Sequence, residues 1–351
     1  MKFLFLFLCF LHAHFLLPQV KAQTQVYKNL VLEGGGIRGI AYGGALAALE
    51  KEGLLRPITR VAGTSAGAIQ AALLAVGYSP AELTDITFQT PVQKLSDGRL
   101  FFLGGFPRLV NQFGWYRGER FRVFLEDLIR QKTGNSNLTF AQLHALAGQE
   151  NYRDLYVLGT SLTEQKAIVF SYETYPDMKV SDAVRISISI PLFFRAVFMD
   201  TNGCIVKKPK DLTGIQVMVD GGIVANYPIQ LFDKATYLNP KDQESSTSIN
   251  SETIGIRLDT DDQIVYDQTQ AGLAPHQIAN FQEYIRAFYN IIIEQLNRQT
   301  LQPEDWARTI SVSTKNYGAK IRRLSEDDKA ILLQSGQEGV TKFLQKQSPK
   351  P

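Results

Sequence analysis

The apolar run Leu30-Val31-Leu32 empties into Gly34-Gly35-Gly36-Ile37-Arg38-Gly39, and 24 residues later the chain reads Gly63-Thr64-Ser65-Ala66-Gly67. Each glycine cluster stands between a predicted strand and a predicted helix. After the first, Ile40 to Leu49 carries Ala and Leu at helical spacing as far as Gly53. Before the second, Ile58 to Ala62 reads as a strand, and Ala66 to Val76 follows as an Ala/Leu-rich helix that stops at Gly77. Two consecutive βα units with buried strands predict an α/β fold, a parallel sheet covered by helices on both faces.

Further strands are predicted at Leu155 to Leu158, Ala167 to Phe170, Val217 to Val219, Ile254 to Leu258 and Thr309 to Val312. Helices are predicted at Glu119 to Arg130, Phe140 to Leu146, Gln277 to Arg298 and Ser325 to Leu344, the last opened by a capping box, Ser325-Glu326-Asp327-Asp328. Asp242 to Glu252 is rich in Ser, Thr, Asn and Gln and reads as a surface loop. Strands on both sides of it point to one continuous sheet rather than two domains. The expected organisation is a leader over 1–22, a catalytic section over 28–233, and a C-terminal extension over 234–351 completing the same sandwich.

Met1-Lys2, the apolar stretch Phe3 to Leu17 and then Val20-Lys21-Ala22 have the form of a secretory signal, with cleavage expected after Ala22 and an exported, periplasmic or secreted product. The competing reading is a membrane anchor. The stretch falls short of the roughly 18 apolar residues that a span needs and is interrupted by His12 and His14. Loss of Lys2 and Lys21 with such a leader lowers the formal charge from +3 to +1. The tight basic groups are Lys207-Lys208-Pro209-Lys210 and Arg322-Arg323, which argues against a nucleic-acid partner. Cys9 leaves with the leader, so Cys204 has no partner for an internal disulfide. With His144 and His276 the remaining histidines and no H-E-x-x-H spacing, a metal site is not expected. Asn137-Leu138-Thr139 is a glycosylation sequon on paper.

Gly63 to Gly67 fits G-x-S-x-G, the sharp turn in which small neighbours let the backbone crowd round a serine and hold its Oγ out for attack. Ser65 attacks an ester only if a base takes its proton and something holds the emerging oxyanion. Gly34, Gly35 and Gly36 supply backbone N–H groups at the start of a helix, and Arg38 lies on its first turn. The same loop satisfies the dinucleotide pattern G-x-G-x-x-G, but the next strand ends in Ala62-Gly63-Thr64-Ser65 without the carboxylate that a ribose requires. Two arrangements compete for the base. Ser65, Asp220 and His276 follow the chain order of an α/β-hydrolase triad. Alternatively Asp220 acts alone, emerging from Val217-Met218-Val219 into Gly221-Gly222, where desolvation would raise its pKa.

Taken together, these motifs resemble those of the patatin-like phospholipase family. The match comprises Gly34 to Gly39, Gly63 to Gly67, and Asp220-Gly221-Gly222 followed by Ile223-Val224-Ala225-Asn226-Tyr227-Pro228; Ser187-Ile188-Ser189-Ile190-Pro191-Leu192-Phe193-Phe194 also resembles the family's segment before the aspartate. The resemblance implies a three-layer α/β/α sandwich with a mostly parallel central sheet. It implies Ser65 as nucleophile and Asp220 as the base of a Ser-Asp dyad. It further implies that Gly34, Gly35, Gly36, Ile37, Arg38 and Gly39 form the oxyanion hole, with Gly35 and Gly36 its chief donors. The implied activity is hydrolysis of acyl esters of phospholipids or neutral lipids through an acyl-enzyme, without metal or other cofactor, on a membrane or micelle surface. Arg195-Ala196 follows the two Phe residues where the family often has another proline.

Leu100 to Pro107, with Phe113, Trp115 and Tyr116, reads either as a lipid-facing lid hinged at Gly104, Gly105 and Gly114 or as core packing. Besides the dyad hydrolase, two readings stay open: a His276-dependent carboxylesterase, and a catalytically weak lipid-binding protein of the same fold.

Overall fold

The computed structural model describes residues 25–347 apart from 91–94, 96, 99–104, 150, 208, 210, 246–247, 270–271, 299, 316 and 318–323. The predicted leader, Phe101-Phe102 of the predicted lid, its hinge Gly104, and Arg322-Arg323 lie outside the described residues.

Ten strands are described: β1 (Asn29–Leu32), β2 (Arg60–Thr64), β3 (Gly114–Tyr116), β4 (Asp154–Ser161), β5 (Lys166–Phe170), β6 (Leu192–Phe194), β7 (Val197–Asp200), β8 (Ile215–Asp220), β9 (Thr253–Asp259) and β10 (Thr309–Ser313). Eight form one sheet in the order β10-β9-β1-β2-β4-β8-β7, with β5 also paired to β4. From β10 to β4 the pairing is parallel. Beyond β4 it turns antiparallel, to β5, to β8 and from β8 to β7. β3 and β6 pair separately.

Side chains on the central strands alternate between two cores, as the pleat requires. Leu30, Leu32, Val61, Leu155 and Val157 enter a large core, while Val31, Ala62 and Tyr156 enter a smaller one on the opposite face. The large core is closed by α1 (Ala41–Lys51), α2 (Ala66–Ala75) and, further along the chain, α5 (Val180–Ser187) and α7 (Glu326–Gln347). The small one packs on Tyr227, Ile229 and Phe232. The sheet is thus the middle layer of an α/β sandwich.

Between these lie α3 (Phe106–Gln112), α4 (Glu119–Thr133) and α6 (Phe281–Arg298). Helix α6 begins four residues later than the periodicity predicts, because Asn280 caps it, its Oδ1 accepting from the Glu283 N–H at 3.0 Å. Ser325 and Asp328 make the reciprocal bonds of the capping box that opens α7, each at 3.1 Å. Among the described residues no helix is long and apolar enough to cross a membrane.

Candidate active site

β2 ends extended at Thr64 and α2 starts at Ala66, so the whole change of direction falls on Ser65, which adopts φ 50° and ψ −116°. For a residue with a Cβ that conformation costs about 1–3 kcal/mol and persists only where the surroundings hold it. Here they do: a Cβ on Gly63 would stand 2.3 Å from the Gly67 carbonyl oxygen, and one on Gly67 2.3 Å from that of Leu32. The Ser65 N–H donates to Ser187 Oγ at 2.9 Å, and its hydroxyl donates to Asp220 Oδ2 at 2.8 Å.

Strand register explains how residues so distant in sequence meet. Thr64 is opposite Leu158 on β4, and Asp220, arriving antiparallel, is opposite Gly159. Ser65 and Asp220 therefore end level with each other on either side of β4, two strand spacings or roughly 10 Å apart in backbone, a gap their side chains close. The Asp220 N–H donates to the Ser189 carbonyl at 2.9 Å, and Oδ1 accepts from the Gly222 N–H at 2.7 Å. Burial is the dominant influence on this carboxyl and pushes its pKa from 3.8 up to about 7, against the opposing hydrogen bonds from Gly222 and Ser65. A carboxylate poised near neutrality on a serine hydroxyl can accept that proton.

Gly34-Gly35-Gly36 lies against the serine, a Cβ on Gly34 falling 3.3 Å from Ser65 Cβ. The six residues of the predicted cradle differ in what their backbones do. The Gly34 N–H donates to the Asn226 carbonyl at 3.0 Å and so is not available to a ligand. Arg38 turns its N–H and its Nε back onto the Gly35 carbonyl, at 3.1 and 3.2 Å. Gly39 abuts Ala66. Among the described residues the N–H groups of Gly35, Gly36 and Ile37 have no acceptor, and Gly36 takes φ 56°, a left-handed turn that fans successive amides in one direction.

His276 is exposed in the segment before α6 and bonds to neither member of the pair, whose carboxylate oxygens are already engaged. His144 stacks on Tyr172 and bonds Asp154, at the opposite end of β4. The described part of the predicted lid is folded: β3 pairs with β6, and buried Arg108 bonds the carbonyls of Trp115 and Gly98, both at 2.7 Å. Phe106, Val110 and Phe113 nonetheless face solvent.

Glu33, Asn226 and Asn297 carry no local sequence signal of a role at the site. Buried Glu33 accepts from the Leu258 N–H at 2.7 Å and pairs with Arg257 at 3.0 Å, so the residue entering the glycine loop is anchored to β9. Burial, the largest effect, raises the Glu33 pKa against the pull of Arg257. Charge pairing read from Glu33 and Arg257 was invisible in a sequence where they stand far apart.

A family model described as patatin-like phospholipase matches residues 30–233. The chain is 34% identical over 218 residues to an uncharacterized protein of Acanthamoeba polyphaga mimivirus, covering 62% of this chain and 64% of that one. It is 35% identical over 216 residues to the uncharacterized protein YqhO of Bacillus subtilis (strain 168), covering 60% and 68%. It is 29% identical over 230 residues to a probable lipid hydrolase of Invertebrate iridescent virus 6, covering 64% and 69%. Among solved structures VipD from Legionella pneumophila shares the fold, with a TM-score of 0.60 at 17% identity over 91% of this chain and 67% of that one. The chain thus spans less than two thirds of the first of these relatives. With the family model covering more than half of its residues, and both glycine motifs and the aspartate turn inside the match, the chain belongs to the patatin-like phospholipase family.

Proposed function

We propose that the protein is a lipid acyl hydrolase working through a Ser65-Asp220 dyad. The observation that carries this reading is the 2.8 Å hydrogen bond from Ser65 Oγ to Asp220 Oδ2 at a strained strand-to-helix turn. As Oγ attacks the ester carbonyl carbon, its proton passes to Asp220, and the carbonyl oxygen takes up negative charge. The amides of Gly35, Gly36 and Ile37 face that charge; one such donor is worth about 3 kcal/mol in a comparable site. Collapse of the tetrahedral intermediate breaks the ester C–O bond, and the Asp220 proton goes to the departing alkoxide. The ionised carboxylate then takes a proton from water, whose oxygen attacks the acyl-enzyme; the bond from Ser65 Oγ to the acyl carbon breaks, the Asp220 proton returns to Oγ, and the carboxylic acid leaves.

The substrate class, carboxylic esters of phospholipids or acylglycerols at a membrane or micelle surface, is supported by the family and by the lipid hydrolase name of one relative. Apolar contact with that surface is assigned to Phe106, Val110 and Phe113, because the neighbouring β6 follows directly on Ser187 and Ser189, which brace the dyad. The test is a lipid panel: mixed phospholipids and triacylglycerols, products identified by mass spectrometry, and a fluorophosphonate probe for the nucleophile. Fatty acid release and labelling of one serine, both absent in Ser65→Ala, are expected. Equal release by wild type and Ser65→Ala would overturn the reading.

A further inference from the structure

The two asparagines left without a task, Asn226 and Asn297, join the aspartate turn to the glycine loop. Asn297 is buried on the last turn of α6, beyond the residues that the family model matches. Its Oδ1 accepts from the Asn226 N–H at 2.5 Å, and its Nδ2 donates to the Gly222 carbonyl at 3.2 Å. Gly222 is the residue whose own N–H holds Asp220 Oδ1. Asn226 in turn accepts from the Gly34 N–H through its carbonyl, and its Nδ2 donates to the Gly34 carbonyl at 3.2 Å and to Glu33 at 3.3 Å. At the residue before Asn226, Thr64 Oγ1 donates to the Ala225 carbonyl at 2.8 Å, tying the segment to the end of β2.

We infer that Asn297, acting with Asn226, is a positioning residue that sets the distance between the Asp220 carboxylate and the amides of the glycine loop. This rests on the hydrolase reading above. Residues 222–226 form no regular element beyond the single turn Gly222–Ala225, so their placement depends on such ties. Asn297 is itself held firmly. Its neighbour Glu294 pairs with Arg257 at 3.3 Å, and Arg298 pairs with Asp259 at 2.5 Å, which locks the end of α6 to β9. Buried side-chain amides with satisfied donors and acceptors hold one geometry, and misplacement of reacting groups by about 1 Å costs on the order of 100-fold in rate.

A merely structural asparagine would alter stability alone; a positioning one alters the chemical step. The test uses the full chain and a soluble short-chain p-nitrophenyl ester, comparing wild type, Ser65→Ala, Asn297→Ala, Asn226→Ala, the double variant, and Gln295→Ala as an exposed control on the same helix. For folded Asn297→Ala we expect kcat to fall by at least ~10-fold with KM within about twofold, and the double variant to be little worse than the poorer single. The Gly222 N–H lowers the Asp220 pKa, so loosening Gly222 moves the midpoint of the kcat profile to higher pH. Asn297→Asp keeps the shape and the acceptor while losing the donor to Gly222, and serves if the alanine variant does not fold. Unchanged kcat and midpoint in a folded variant would overturn the inference, as would failure of both variants to fold, which would make the role structural. Wild type no more active than Ser65→Ala would instead remove the hydrolase reading, and the inference with it.

Discussion

The side chain of Asn226 occupies the space that a side chain on Gly34 would need: a Cβ there would stand 2.2 Å from Asn226 Oδ1. The first glycine of the loop is therefore a space-maker and an acceptor-bound amide, and among the described residues the amides without an acceptor begin one residue later.

Gly34→Ala should displace Asn226 and lower turnover by at least ~10-fold, whereas Gly53→Ala should retain activity. Gly53, unlike Gly34, has positive φ, at 72°, but nothing lies within 4 Å of its Cβ position, so only about 1–2 kcal/mol of backbone strain is expected. Turnover and thermal melting of the two variants separate the effects. Equal turnover in both would show that the Asn226 contact is immaterial.

Asp220→Asn removes the proton acceptor and should cost at least ~100-fold in kcat. His276→Ala and His144→Ala should stay within about twofold, since neither ring reaches the pair. In wild type, kcat/KM should rise with pH through about 7, where the free carboxyl ionises. A dead His276→Ala enzyme would restore the triad.

The same carboxyl links stability to pH. Its folded pKa of about 7 lies above the ordinary 3.8, so between those values the native state holds a proton that the unfolded chain releases. Stability from this group is complete below about pH 4 and declines as pH rises through 7. Asp220→Asn has no charge to bury and should be more stable than wild type at pH 8, by up to about 4 kcal/mol, with the difference closing toward pH 4. Denaturant melts across that range test it; a less stable variant at pH 8 would contradict the burial argument.

Vesicle binding should depend weakly on salt and fall when Phe106 and Phe113 are replaced by Ser. Helix α6 provides a second arm, because Phe281, 78% exposed, leads an apolar stripe through Tyr284, Phe288 and Ile291. Phe281→Ser/Phe288→Ser tests that face separately. Co-sedimentation with neutral and anionic vesicles at two salt concentrations reads both arms. Steep salt loss with both pairs silent would place docking on charged groups instead.

The seven strands predicted from apolar runs are all present, as are the glycine turns, because those signals are local. β6 has three residues and opens at Leu192, which takes φ 66°, and β7 has four, so no alternation of useful length marks either. Helix α5, with Val180, Ser181, Val184 and Ser187 among its residues, has weak helical propensity and is held by burial of its apolar side chains. The helix Pro80–Gln89 was legible in principle: Ser79 and Glu82 spell the capping box they form, with Pro80 at the first position. Asn297 was not. It meets Asn226 from 71 residues away, and nothing in α6 marks one amide among its polar residues as special.

The strand order has a consequence for anyone dissecting the molecule. β1, the strand that delivers the glycine loop, is interior only because β9 covers its flank through the pairing of Asn29 to Leu32 with Thr253 to Ile256. A fragment stopped after the family-matched residues would turn β1 into a naked rim of four wholly buried, mostly apolar residues with its ladder groups unpaired, a template for joining other chains. Such a fragment should accumulate as self-paired aggregate, so a piece of this chain that stays in solution has to reach past β9.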